Sequence, residues 1–230
     1  MSKKICFFFV LILFGFILQI SANDSQWYLL GSGSTVTEYV NVQQISYNPE
    51  TDTALFWIKD IFPDGDEHLR QYEVNFTEKT MLLLTMKDAK TGEILPSFKN
   101  SPVPPAKHLI SPEGWGDKVT NIIAAHLGKP PLYTKSSYNW VKINTSKYGD
   151  TYILPDFFNS NKEANTCDVW VKQVITWPLQ GTRTHKYRFF FTDKSLLDLS
   201  AIGASRTPIT ANSEYEIIYS TVKNLVFKTK

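Results

Sequence analysis

Residues that could do chemistry are few in this sequence and lie far apart. The four histidines show neither the HxxxH nor the HExxH spacing that places two imidazoles on one helix face for a metal. The acidic run Asp64-Gly65-Asp66-Glu67 lacks the twelve-residue ladder of calcium ligands, and turn chemistry accounts for it. No serine or cysteine falls where the predicted strand order would bring it beside a histidine base. The sequence therefore predicts no catalytic residue, no metal and no cofactor, and a protein that is not an enzyme.

Two pairs of aromatic and basic residues are the candidates for contact with a partner. They are Trp57 with Lys59 and Trp170 with Lys172, and each pair alternates with the apolar residues of its strand. Such residues can lie together on the outer face of a sheet and bind another protein. They can equally stack across strands and shield the sheet. If a helix covers that face instead, Trp57 is a core residue.

Composition and charge narrow the class of partner. The chain has 230 residues, of which 43% are hydrophobic and 14% aromatic, enough for one sizeable core or two small ones. The formal charge is +2, from 24 basic and 22 acidic residues, and no long run of lysine or arginine occurs. A nucleic-acid partner is therefore not expected.

The first 22 residues have the pattern of an export signal. Two lysines precede a stretch from Ile5 to Ile20 without a charged residue, and Ser21 and Ala22 follow it. This predicts a secretory signal peptide cleaved after Ala22, with an uncleaved membrane anchor as the competing interpretation. No later segment is long and apolar enough to span a membrane. We expect an exported chain, periplasmic, on the cell surface or secreted.

The two cysteines exclude a disulfide framework. Cys6 lies inside the predicted signal segment and lacks the preceding small residues of a lipid-modified cysteine, so no lipoprotein anchor is expected. Cleavage leaves Cys167 as the single thiol. It alternates in step with Val169 and Val171, which predicts a buried free thiol. A reactive thiol, or one that joins a second chain, is the alternative.

Self-comparison reveals two copies of one pattern. Trp27 and Trp140 lie 113 residues apart, as do Tyr39 and Tyr152, and the segments around Trp57 and Trp170 share that offset. A period of this size indicates tandem domains rather than a solenoid. The predicted division is a signal peptide at 1–22, a first domain at 23–128, a linker at 129–137 and a second domain at 138–230.

Each copy reads as a run of short strands followed by a helix. The strands are rich in β-branched and aromatic residues and are closely spaced, as in antiparallel hairpins. Apolar residues at helical spacing follow, ending at Leu127 in the first copy, where Gly128 is the predicted helix stop, and at Val226 in the second. The segment 96–112 holds several prolines and is predicted to be extended. The fold class is α+β: two tandem domains, each an antiparallel sheet of about five or six strands with a C-terminal packing helix.

A family resemblance rests on aromatic and strand positions. The first copy reads Trp27-Tyr28-Leu29-Leu30-Gly31, then Tyr39-Val40-Asn41-Val42, Phe56-Trp57-Ile58-Lys59 and Tyr72-Glu73-Val74. This arrangement resembles the bacterial surface-adhesin protein E domain, and the second copy is a weaker match to the same pattern. The resemblance implies an antiparallel sheet with helix packing, export to the bacterial envelope, no enzymatic activity and adhesion to host extracellular proteins.

The chain departs from that family at two points. Many members are lipoproteins or join the fourth strand to the terminal helix by a disulfide. Here Phe76 and Phe191 occupy the inward strand position where the resemblance would place the cysteine. Burial of each aromatic side chain contributes on the order of 2 kcal/mol, so the fold can persist without the disulfide.

Two functions from different classes follow from these observations. The first is an exported, non-enzymatic binding protein of the bacterial envelope, with adhesion to host or extracellular proteins as its candidate role. The alternative is an extracytoplasmic carrier of a small apolar ligand, which would need an apolar pocket between sheet and helix or between domains. A core packed without a cavity would count against the carrier.

Overall fold

A computed structural model describes residues 26–102, 105–134, 138–176 and 180–227. The predicted signal peptide and its cleavage site lie outside the described residues. The elements in chain order are β1 (Trp27–Ser32), β2 (Thr37–Asn48), β3 (Thr53–Ile61), β4 (Glu67–Asn75), β5 (Thr80–Asp88), α1 (Pro96–Lys99), β6 (His108–Leu109), α2 (Trp115–His126), β7 (Val141–Ser146), β8 (Gly149–Ile153), a 3-10 turn (Pro155–Phe157), β9 (Asn159–Asn161), β10 (Thr166–Ile175), β11 (Gly181–Phe190), β12 (Ser195–Asp198), β13 (Thr207–Pro208) and α3 (Glu214–Phe227).

The strands form two largely antiparallel sheets. The first has six strands in the order β1-β2-β3-β4-β5-β6. The second has seven, in the order β13-β12-β11-β10-β8-β7, with β9 also paired to β10. The predicted antiparallel sheets and C-terminal helix are confirmed. The second sheet is larger than the predicted five or six strands, because the short strands β9 and β13 have no alternating pattern to reveal them.

The described chain divides into two compact units. The first comprises the described residues up to Glu78, with Leu82–Pro105 and Ala125–Lys129, and the second comprises Lys79–Met81, Ala106–Ala124 and the chain from Pro130. A two-unit organisation agrees with the tandem arrangement that the repeat predicts. The predicted boundaries at 128 and 138 stay a prediction. Tyr133, inside the predicted linker, is buried in the second unit, where its hydroxyl donates to the carbonyl oxygen of Ile110.

The core of the first unit follows from strict alternation along β3 and β4. Phe56 and Ile58 of β3 are fully buried, whereas Trp57 and Lys59, which alternate with them, are half-buried. Because successive side chains of a strand point to opposite faces, the two aromatic-basic candidates share the face away from this core. Phe56 stacks on Tyr72 of β4, with ring centroids 5.8 Å apart.

The core of the second unit lies between β10, β11 and α3. Cys167 is fully buried in it and forms no disulfide, which confirms the predicted buried free thiol. Phe191, at the position where the family resemblance would place a cysteine, packs its ring 5.6 Å from that of Tyr219 in α3. An aromatic contact thus joins the residue that follows β11 to α3.

Turns and helix ends follow the sequence signals in most places. Gly65 has a φ of +87°, as its turn requires, and α2 stops two residues before Gly128, which has a φ of +66°. Ser213 caps α3, since its hydroxyl accepts a hydrogen bond from the backbone N–H of Glu216. The predicted extended segment 96–112 is wrong in part. It contains the helical turn α1, which Pro96 can begin because a first-turn residue needs no N–H, and the short strand β6.

Candidate functional site

A lysine packs against two aromatic rings on the outer face of the first sheet. Lys59 Nζ lies 5.0 Å from the ring centroid of Trp27 and 5.7 Å from that of Tyr39. Tyr39 is the cross-strand partner of Lys59, which brings the three residues together from β1, β2 and β3. Cation–π contacts of this kind hold the ammonium group and cover the aromatic faces.

The second unit contains the same arrangement. Lys172 Nζ lies 4.3 Å from the ring centroid of Trp140 and 5.6 Å from that of Tyr152, its cross-strand partner. All three positions follow those of the first cluster by 113 residues. The shared offset of these three residue types is the signal in the sequence from which a contact between each lysine and its tryptophan and tyrosine could have been predicted. Sequence reasoning instead paired each lysine with the neighbouring tryptophan of its own strand.

Trp57 and Trp170 do not belong to these clusters. Trp57 is half-buried and has Lys87 Nζ 5.3 Å from its ring centroid. Trp170 is only 3% exposed, and Lys186 Nζ lies 5.8 Å from its ring. Of the four candidate residues, Lys59 and Lys172 thus occupy equivalent aromatic clusters. Trp170 is too buried to offer a surface to a partner.

A carboxylate distinguishes the second cluster from the first. Glu113 Oε2 lies 3.5 Å from Lys172 Nζ and accepts a hydrogen bond of 2.7 Å from the indole Nε1 of Trp140. Among the described residues, no carboxylate is within ion-pair distance of Lys59. Sequence reasoning missed Glu113, because a loop residue distant in sequence shows no periodicity that would place it beside a strand.

The loop that carries Glu113 is held tightly. Glu113 has a φ of +60°, a left-handed conformation that side chains other than glycine and asparagine rarely adopt. Its backbone N–H donates to Asp117 Oδ2 at 3.0 Å, and the hydroxyl of Tyr138 donates to the same oxygen at 2.9 Å. A Cβ at Gly114 would meet the hydroxyl of Ser111 at 2.4 Å, so this position needs glycine. These constraints fix where the Glu113 side chain begins.

An open cavity of about 460 Å³ lies beside Lys172 and Glu113. Its volume falls within the range of about 300–1,000 Å³ typical of small-molecule sites. Ser111, Thr182 and Thr184, which carry hydroxyl groups, line it together with the apolar Val174. Its charged lining residues are one lysine and one glutamate, so the lining carries no net formal charge.

A second cavity, of about 520 Å³, lies by β9, β10 and β11. Its most buried charged group is Asp168, 7% exposed at the side chain, and Arg188 binds both of its carboxylate oxygens, at 2.7 and 3.0 Å. Because this pair is already mutually satisfied, it has less to offer a ligand than the partly engaged Lys172 and Glu113.

Other chemistry finds little support in the described parts of the chain. Burial raises the pKa of the Cys167 thiol to about 12, so the reactive thiolate is scarce at neutral pH. Within the described residues, no three histidine, cysteine, aspartate or glutamate side chains are grouped so that they could hold a metal ion. None of the described helices has the length and apolar character needed to cross a membrane.

The chain was also compared with known proteins. No protein-family model matches it, and no curated protein matches it.

Proposed function

We propose that this protein is an exported, non-enzymatic binding protein of the bacterial envelope, and that adhesion to host or extracellular proteins is its role. The observation that carries the proposal is the open cavity beside Lys172 and Glu113, a surface site lined by polar side chains that a partner can contact. The apolar segment before Ala22 supports export. The resemblance to the surface-adhesin protein E domain supports the adhesive role.

The alternative carrier of an apolar ligand gains no support from the described residues. The core of the second unit is filled by side chains that are each at most 7% exposed. The cavities described above open at the surface and are lined largely by polar side chains. A carrier of an apolar ligand needs a mostly apolar enclosure.

Export can be tested directly with the full chain. Expression in a Gram-negative host, followed by fractionation and N-terminal sequencing, should give a product outside the cytoplasm that begins at Asn23. A chain that keeps its first 22 residues in the membrane would support the anchor interpretation instead. A chain that stays in the cytoplasm would contradict the proposal.

Binding can be tested with the mature chain on immobilised collagen, fibronectin and intact epithelial cells. We expect saturable binding to at least one of these surfaces. Lys172→Met should weaken it at least tenfold, whereas the matched control Lys59→Met should change it less than twofold. No saturable binding to any of the surfaces, or equal effects of the two substitutions, would contradict the proposed site and role.

A further inference from the structure

The polar groups beside the cavity are only partly engaged by the protein. Lys172 Nζ makes no hydrogen bond to a described residue, although it contacts two rings and Glu113 and its side chain is 22% exposed. Glu113 uses Oε2 for Trp140 and Lys172, and Oε1 accepts no hydrogen bond from a described residue. An ammonium with available N–H donors and a carboxylate with an available acceptor therefore stand side by side.

The charges of this pair select against charged ligands. A ligand carboxylate that approaches Lys172 also approaches Glu113, since their charged atoms are 3.5 Å apart. At this spacing the repulsion from one group offsets a large part of the attraction from the other. A ligand cation meets the same offset with the signs reversed. A neutral ligand avoids it and can use both groups.

The remaining lining specifies the kind of neutral ligand. Ser111, Thr182 and Thr184 offer hydroxyls, each of which can donate and accept a hydrogen bond. The ligand groups that complement a lysine donor, a glutamate acceptor and several hydroxyls are themselves both donors and acceptors. Neighbouring hydroxyls on a ring meet this description, and the ring's C–H face can lie against Val174.

The backbone at Glu113 is an independent observation. The equivalent loop of the second copy has Asn212 at a φ of +60°, a residue that tolerates the left-handed conformation. A glutamate in this conformation costs about 1 kcal/mol more than a residue suited to it. Lys79 and Lys194 have the same conformation at other turns, but at Glu113 it also fixes the start of a side chain that contacts Lys172 beside the cavity.

We propose that the cavity beside Lys172 binds a neutral saccharide, with adjacent hydroxyls bridging Lys172 Nζ and the Glu113 carboxylate. This inference rests on the proposed binding function and names the chemistry of its ligand. The partner of the exported protein is then a glycan on an extracellular surface.

The mature chain should be screened on an array that holds glycans ending in galactose, mannose or N-acetylglucosamine, beside sialylated and sulfated glycans. We expect binding to a subset of the neutral glycans, measured again by calorimetry with the free sugars. Glu113→Gln and Lys172→Met should each lower the affinity at least tenfold. Lys59→Met should leave it within twofold.

A second variant guards against loss of folding at the half-buried Lys172. Thr184→Val keeps the volume of a side chain that lines the cavity, and should lower affinity about three- to tenfold while the circular dichroism spectrum stays that of the wild type. Binding to sialylated or sulfated glycans alone, or unchanged affinity in a folded Glu113→Gln variant, would overturn the inference.

Enzymatic deglycosylation separates this inference from the proposed function. Binding to collagen, fibronectin or cells that is lost after deglycosylation supports the saccharide site. Binding that survives deglycosylation overturns the saccharide site and leaves the adhesive function standing. Absence of binding to every surface and glycan contradicts both.

Discussion

The two copies share backbone conformations more faithfully than they share side chains. The described non-glycine residues with positive φ fall into three equivalent pairs, separated by 113, 115 and 99 residues: Asp52 with Asn165, Lys79 with Lys194, and Glu113 with Asn212. The first pair also shares a backbone hydrogen bond. The carbonyl oxygen of Asp52 accepts from the N–H of Phe76 at 3.0 Å, and that of Asn165 accepts from the N–H of Phe191 at 2.9 Å. Duplication has thus preserved these positive-φ positions, while the residues at two of the three have diverged.

The core-facing polar groups of the two sheets differ most. In the first unit, Arg70 donates to Glu38 and Asp60, each at 2.6 Å, and to the hydroxyl of Tyr72 at 2.9 Å. The equivalent positions in the second unit are, in the same order, His185, Thr151, Gln173 and Tyr187. Acidic groups from other positions serve there: Glu214 of α3 binds Thr151 and Gln173, and Asp198 binds His185. Of these four positions, only the tyrosine, Tyr72 in the first unit and Tyr187 in the second, is the same in both. The buried aromatic residue has therefore been retained, whereas the charged residues have been replaced.

The largest difference between the copies should appear on removal of the basic residue. Arg70→Ala leaves the Asp60 carboxylate, which is 8% exposed, without its guanidinium. We expect a loss of about 3–5 kcal/mol in the free energy of unfolding, typical of a buried charge deprived of its partner. His185→Ala, at the equivalent position, should cost about 1 kcal/mol, because that side chain is 36% exposed. Urea unfolding of the mature chain measures both, and equal losses would contradict the comparison.

A reciprocal exchange of core volume gives the next largest effect. The first unit has Phe56 on β3 and Val74 on β4, and the second has Val169 and Phe189 at the equivalent positions, all fully buried. Each core thus holds one phenylalanine and one valine, placed on opposite strands of the pair. Val169→Phe should cost about 1–3 kcal/mol by overpacking, and Phe189→Val a similar amount by leaving a cavity.

The double variant tests whether the core of the second unit can accept the packing arrangement of the first. Val169→Phe with Phe189→Val copies the arrangement of the first unit and conserves volume, so it should cost less than about 1.5 kcal/mol. Urea denaturation gives the coupling energy of the cycle. Costs that simply add would show that the duplicated cores no longer accept each other's packing.

Sequence reasoning succeeded where a residue's environment is set by its own strand. The alternation of Phe56 and Ile58 with Trp57 and Lys59 predicted that the two sets lie on opposite faces of β3, although it left open which face is buried, and the same period placed Cys167 in the core. It failed for β9 and β13, which have three and two residues and owe their pairing to longer neighbours. A period cannot be read from so few residues.

The candidate site was predictable only in part, for the same reason. Lys172 was found because it recurs with Lys59 at a fixed offset. Trp140 and Tyr152 were recognised as repeat markers, but the register of β8 with β10 decides that Tyr152 contacts Lys172, and Trp140 reaches the same lysine from the residue before β7. Glu113 comes from a loop outside the repeat's strand pattern, and its contact with Lys172 depends on tertiary folding that no local signal encodes.

A reciprocal exchange at the helix-entry loops should have an intermediate effect. Asn212→Glu places a residue poorly suited to positive φ in the second copy and should cost about 1 kcal/mol in unfolding free energy. Glu113→Asn relieves the same strain but loses the bonds to Trp140 and Lys172, so its unfolding free energy should change by less than about 0.5 kcal/mol. Thermal unfolding measures both changes. A large loss in Glu113→Asn would make that glutamate a structural residue rather than one held for a ligand.

The smallest effect concerns the turn residue Asp52, which is an asparagine in the second copy. Lys129 binds Asp52 Oδ1 at 2.8 Å and, with hydrogen bonds from Thr77 and Tyr47, holds the pKa of this carboxyl below its ordinary value of 3.8. A carboxyl with a lowered pKa stabilises the fold above its unfolded-state pKa, and this contribution is lost as the pH falls through the folded-state value. Asp52→Asn should therefore lower stability at pH 7 by less than about 1 kcal/mol, since the pair is partly exposed.

The deficit should shrink as the pH falls from 5 towards 2.5, because protonation removes from the wild type the charge that the variant already lacks. Lys129→Met should show a similar deficit at pH 7, and a double-mutant cycle isolates the ion pair from the hydroxyl contacts. A deficit in Asp52→Asn that persists at pH 2.5 would show that hydrogen bonds to Thr77 and Tyr47, rather than charge, matter at this turn. The first copy would then resemble the second, where Asn165 donates to Thr192, the counterpart of Thr77, at 3.1 Å without a carboxylate.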